Sequence, residues 1–158
     1  MTTLIVTASH HGSTREIAER VAEVLQEQQQ IETVVEDVKG AAAWLDSADS
    51  VIVAAPVYRT RLAKEASAFL DSRRAELSTR PLVLLVSGGA PSLSPRLHAA
   101  LQAYGPREIG YVRGAVVEER LSGLEKLQLK LSGNENYGDF RDWAGLESWA
   151  KGLTGLRG

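Results

Sequence analysis

The chain has 158 residues, of which 44% are hydrophobic and 24% charged, with a net charge of −2. That length suits one domain with a core of its own, so residues 1–158 are read as a single domain, and the small net charge argues against a nucleic-acid footprint. Cysteine is absent, which excludes disulfides, zinc–thiolate sites and thiol catalysis and makes a cytoplasmic location the expectation.

Met1-Thr2-Thr3 runs straight into Leu4-Ile5-Val6-Thr7-Ala8, an apolar stretch that reads as a buried parallel strand. It lacks the charged start and cleavage site of a signal peptide, and no apolar run approaches the roughly 18 residues of a membrane span. From Ser13 to about Gln29, Ile17, Val21 and Leu25 recur every four residues with Ala18 and Ala22 beside them, an amphipathic helix. Ile31–Val35 is a second strand flanked by charge. Val51–Ala55 is a third, fully apolar and central, which Pro56 is expected to stop. A helix follows from about Leu62 to Arg74. Leu82–Val86 forms the fourth strand, ending at Ser87-Gly88-Gly89, and Pro95 suits the first turn of the next helix. Tyr111–Val117 supplies a fifth strand. The last helix spans about Asp139 to Leu153, with Trp143, Leu146, Trp149 and Leu153 on one stripe. That spacing marks a core face, and neither it nor Trp44 argues for a cofactor.

Strands alternating with helices imply a parallel sheet with helices on both faces. Five strands in this sequence suit the order 2-1-3-4-5, whose ligands bind outside the carboxyl ends of the strands, at the switch point between strands 1 and 3. Ala8–Thr14, Pro56–Leu62 and Ser87–Ser94 are therefore expected at one end of the sheet.

The first of these loops, Ser9-His10-His11-Gly12-Ser13-Thr14, offers three hydroxyls, a glycine and the free N–H groups of a helix start. A phosphate suits that combination, because the donors converge and the helix dipole favours an anion. Ser13 stands where a P-loop needs lysine, and one glycine falls short of a dinucleotide fingerprint. The plainer alternative is that Ser13 only caps the helix. His10 and His11 are adjacent, which rarely aims two rings at one ion, so no metal site is expected. A phosphate dianion beside His11 would favour the imidazolium form. Affinity for a phosphate-bearing ligand is then expected to weaken as pH rises through the His11 pKa, and a flat affinity titration would contradict this.

Thr7-Ala8-Ser9-His10-His11-Gly12-Ser13-Thr14 resembles the FMN phosphate loop of flavodoxins, a hydroxyl residue, two variable positions, Gly, one further position and Thr. The resemblance implies a flavodoxin-like three-layer α/β sandwich. It places Ser9, Gly12, Ser13 and Thr14 around the FMN phosphate, with the backbone N–H groups of His10 and His11. The electron-carrying flavodoxins prefer Thr where His11 stands, which affects one side-chain contact.

In the second loop, Pro56-Val57-Tyr58-Arg59, Tyr58 is the only aromatic of the three loops, and an isoalloxazine ring wants a flat apolar partner. A tyrosine packed on the protein surface is the alternative. Ala48–Asp71, and especially Val53–Tyr58, is also similar to NAD(P)H-dependent FMN reductases, from which Arg59 and Arg61-Leu62-Ala63 depart. Arg59, Arg61 and Lys64 stand against Glu65 alone. Opposite charges about 4 Å apart at a protein surface attract by roughly 4 kcal/mol before screening. These cations would therefore raise the flavin potential or receive an anionic substrate; a solvated arginine pair is the alternative. In the third loop, Ser87, Gly88 and Gly89 let backbone approach a flat ligand, with no aromatic to cover it.

Residues 119–135 form an insert before the last helix. Within 119–133, Leu124, Leu127 and Leu131 share a helical face with Lys126 and Lys130 off it, which suits a short packed helix or, on thinner grounds, a peripheral membrane contact. Gly114-Ala115, this insert, Ser132-Gly133 and Asp142-Trp143 resemble the menaquinone-dependent protoporphyrinogen oxidases. Three readings follow. The first is an FMN electron carrier with a redox partner protein. The second is an FMN oxidoreductase acting on a porphyrinogen or a quinone. The third is a flavin-free binding module. No general acid or base stands out.

Overall fold

The computed structural model describes residues 1–8, 13–58, 60–113 and 143–156. Among them, β1 (Thr2–Thr7), β2 (Glu32–Asp37), β3 (Ser50–Tyr58), β5 (Leu82–Gly88) and β6 (Glu108–Arg113) form a parallel sheet in the order β2-β1-β3-β5-β6. A short β4 (Arg61–Leu62) pairs antiparallel with the end of β3. The helices are α1 (Ser13–Gln29), α2 (Ala42–Leu45), α3 (Lys64–Ser72), α4 (Arg74–Leu77), α5 (Pro95–Gln102) and α6 (Trp143–Lys151). This is the flavodoxin-like α/β arrangement.

The central strands read as unbroken apolar runs because both faces are covered. Ile5, Ile52, Val83 and Leu85 meet Ile17, Val21 and Leu25 of α1 and Leu146 and Ala150 of α6 on one face. Leu4, Val6, Val51, Val53, Leu84 and Val86 meet Leu45, Leu70, Leu77 and Leu101 on the other. The tryptophan stripe of α6 is a core face, with Leu146 and Leu153 buried and Trp143 and Trp149 packed beside them. Trp149 explains one glycine: a Cβ on Gly110 would fall 2.7 Å from its Cε2. A Gly110→Ala variant is therefore expected to lose roughly 1–2 kcal/mol of stability to overpacking, read as a lower urea midpoint.

Several boundaries differ from the sequence reading. Pro56 does not end β3, which continues to Tyr58. Ala54 turns its carbonyl toward β1, accepting from Ala8 N–H at 3.2 Å. Pro56, two residues on, turns the same way but beyond the end of β1, so its missing N–H removes no ladder bond. The expected helix over 62–74 is instead the strand β4 followed by α3 and α4, with the break at Arg73, whose φ of −111° and ψ of 18° leave the helical region. Leu62 is drawn into the strand by pairing with Val57 and by burial. The fifth strand begins at Glu108, three residues before the expected Tyr111, because Arg107 N–H donates to Leu82 O at 2.8 Å and starts the ladder there. Residues 114–117 of the expected strand and 139–142 of the expected last helix lie outside the described residues.

Candidate functional site

Because β1, β3 and β5 run parallel, their carboxyl ends lie together, with β1 and β3 adjacent where the strand order reverses. The 17-residue α1 begins at this end. Its first N–H groups have no intrahelical acceptors, and its dipole is positive there. Thr14, its second residue, is 1% exposed, and Ser87, at the end of β5, is 3% exposed. Their hydroxyl oxygens lie 3.4 Å apart, which joins the first and third loops. That is long for an O–H···O bond, whose usual length is about 2.7–2.8 Å. Among the described residues it is the only side-chain hydrogen bond either hydroxyl makes. Thr14, at the helix start, and Ser87, at the end of β5, have two O–H hydrogens between them and their contact uses one, so among the described residues one is left to donate to a further acceptor.

At the same end, Tyr58 closes β3 and is 39% exposed, one of the few large apolar side chains turned to solvent among the described residues. Pro56 and Val57, which precede it in β3, are half-buried. Pro56 O accepts from Ala63 N–H at 2.9 Å, which holds the chain after β4 against the end of β3. Ser9, His10, His11, Gly12 and Arg59 lie outside the described residues, as does the 119–135 insert.

The third loop differs from its sequence reading. The space left by the missing Cβ of Gly88 is taken by Tyr111, whose Oη lies 2.9 Å from where that atom would be. Gly88 thus accommodates a neighbouring ring of the protein. Gly89 has nothing within 4 Å of its Cβ position and stays open. Tyr111 Oη donates to Ala90 O at 2.6 Å, and Arg113 Nε donates to Gly89 O at 3.2 Å. The loop is therefore clasped from β6 by two residues that the sequence reading did not assign to the site. Burial raises the Tyr111 phenol above its ordinary pKa, against a smaller lowering by Arg113, so it stays a protonated donor at neutral pH. Its signal was the alternation Ile109, Tyr111, Arg113 on one face of an edge strand.

Among the described residues, no three His, Cys, Asp or Glu side chains converge as a metal site. Nor is any helix there long and apolar enough to cross a membrane.

No curated protein matches the chain. Solved structures do. A short-chain flavodoxin associated with a non-canonical PDU bacterial microcompartment aligns with a TM-score of 0.62 at 17% identity, over 99% of this chain and 96% of that one. A flavodoxin from Streptococcus pneumoniae TIGR4 aligns with a TM-score of 0.57 at 23% identity, over 85% and 99%. A flavodoxin variant from Fusobacterium nucleatum bound to flavin mononucleotide aligns with a TM-score of 0.52 at 12% identity, over 86% and 92%. At these identities the likeness concerns the fold. A family model described as a flavodoxin domain matches residues 4–142, most of the chain, and the protein belongs to that family.

Proposed function

We propose that the chain binds FMN at the carboxyl end of its sheet and acts as a redox protein that passes electrons to a partner. The observation that carries this reading is the pair of buried hydroxyls, Thr14 and Ser87, beside the start of α1 with hydrogen-bonding capacity to spare. These residues fit a phosphate. Thr14, Ser13 and the loop Ser9, His10, His11 and Gly12 would hold it through hydroxyls and helix-start N–H groups. The exposed Tyr58, with Pro56, Val57 and Arg59 beside it in sequence, would shield the flavin ring, and Ser87, Gly88 and Gly89 would border it. Bound FMN would supply the redox chemistry, and the protein's part is to bind, orient and tune it. Family membership and the FMN-bound relative support the cofactor. A cytoplasmic location and the action of residues 1–158 as one flavin domain belong to the same reading.

A second reading, an FMN-dependent oxidoreductase of the protoporphyrinogen oxidase or quinone reductase type, draws on the resemblance of residues 114–143. The open space at Gly89 favours it, since a substrate would need such room beside the ring. Anaerobic assays of the FMN-loaded protein separate the two. A carrier, once chemically reduced, delivers its electrons to a protein acceptor such as cytochrome c and shows no turnover with quinones or porphyrinogens. Multiple turnovers with either small molecule would contradict the carrier reading and support the enzyme.

A further inference from the structure

β3 and β4 pair antiparallel as a hairpin, in which Val57 pairs with Leu62 and Tyr58 with Arg61. Directly opposed residues of an antiparallel pair present their side chains on the same side, with Cβ atoms about 5 Å apart. Tyr58 and Arg61 are therefore neighbours on one face, at the end of the sheet where Thr14 and Ser87 meet, and both are exposed. The hairpin is anchored. Leu62 and Ala63 are buried, and the Ala63 N–H to Pro56 O bond of 2.9 Å ties its return strand back to β3. Arg61 makes no ion pair with any described residue, and Lys64 follows at the first position of α3.

A ring resting on Tyr58 would thus lie beside a guanidinium that is always charged. Two-electron reduction of FMN, with both electrons coming from an external reductant and one proton taken up from water, leaves one negative charge on the ring. A fixed cation nearby lowers the free energy of that product more than that of the neutral oxidised ring. We propose that Arg61 is a charge-tuning residue: paired across the hairpin with Tyr58, it favours the reduced, anionic flavin and makes the cofactor easier to reduce. This rests on FMN binding as proposed above and goes beyond it by assigning the control of its potential.

The test is an anaerobic dithionite titration of the FMN-loaded protein against a reference dye, alongside a fluorescence measurement of affinity for oxidised FMN. Arg61→Gln is expected to cut the preference for reduced over oxidised FMN about tenfold, which is about 30 mV for a two-electron couple. Its affinity for oxidised FMN should stay close to that of the parent. Arg61→Lys, which keeps the charge, should retain most of the parent potential. Lys151→Gln removes a charge at the opposite end of the sheet, where Gln29 Nε2 donates to the Lys151 carbonyl, and should change nothing. An unchanged potential in Arg61→Gln would overturn the proposal. So would an equal shift in Lys151→Gln, which would trace the effect to net charge, or an Arg61→Lys variant that behaves like Arg61→Gln. Failure of the parent to bind FMN overturns the functional reading as well, whereas normal FMN binding with no shift overturns this inference alone.

Discussion

Thr14→Val should weaken FMN binding roughly 10- to 150-fold while leaving the fold intact. The substitution keeps the β-branched shape at a site 1% exposed and deletes only the hydroxyl. A hydrogen bond to a charged group contributes about 1.5–3 kcal/mol, the free energy behind that range. The loss should be larger than that of a neutral hydrogen bond because the acceptor is a phosphate in a shielded corner at the positive end of α1. Quenching of flavin fluorescence gives the affinity, and the urea midpoint shows whether the fold is intact. Unchanged affinity with an intact fold would mean that the phosphate does not meet Thr14.

Ile52→Ala should produce the largest loss of stability of the variants considered, about 2–5 kcal/mol. Ile52 is fully buried on β3, pairs with Ile5 on one side and Val83 on the other, and lies in the core beneath α1. Removing three carbons there opens a cavity between neighbours held by the sheet and unable to collapse. Urea unfolding should show a lower midpoint with an unchanged slope. A loss below about 1 kcal/mol would indicate that the core closes around the gap. If FMN binds only the folded chain, saturating it at about 100 times Kd should restore about 2.7 kcal/mol of apparent stability to this variant.

The sequence carried the fold where the pattern was local. β1, α1 and the start of α5 were legible because apolar runs, four-residue periodicity and a Pro95 suited to a first helical turn each point one way. Pro95 stands at the first helical position, and the structure adds a cap that the sequence reading did not name, Ser94 Oγ accepting from Leu97 N–H at 3.3 Å. What stayed hidden depends on pairing across the sheet. Arg61-Leu62 reads as the approach to a helix until Val57 and Tyr58 are seen opposite it. Pro56 reads as a stop until the end of β1 shows that its missing N–H costs no ladder bond. The same holds for the candidate site. Tyr58, Thr14 and Ser87 are candidates that residue type and topology single out, and the structure brings the Thr14 and Ser87 hydroxyls together. Tyr111 escaped because only the β5–β6 register, which sets it opposite Val86, brings its hydroxyl over Gly88 and onto Ala90. Gly88, read as room for a ligand, is room for that ring.

The central claim is that a phosphate at the start of α1 anchors a flavin. It is tested most directly by titrating the purified, flavin-free protein with FMN and, separately, with riboflavin, which carries the same ring without the phosphate. FMN should bind one to one with its fluorescence quenched, and riboflavin should bind roughly 100-fold more weakly or worse. Equal affinity for the two, or no uptake of FMN, would contradict the account.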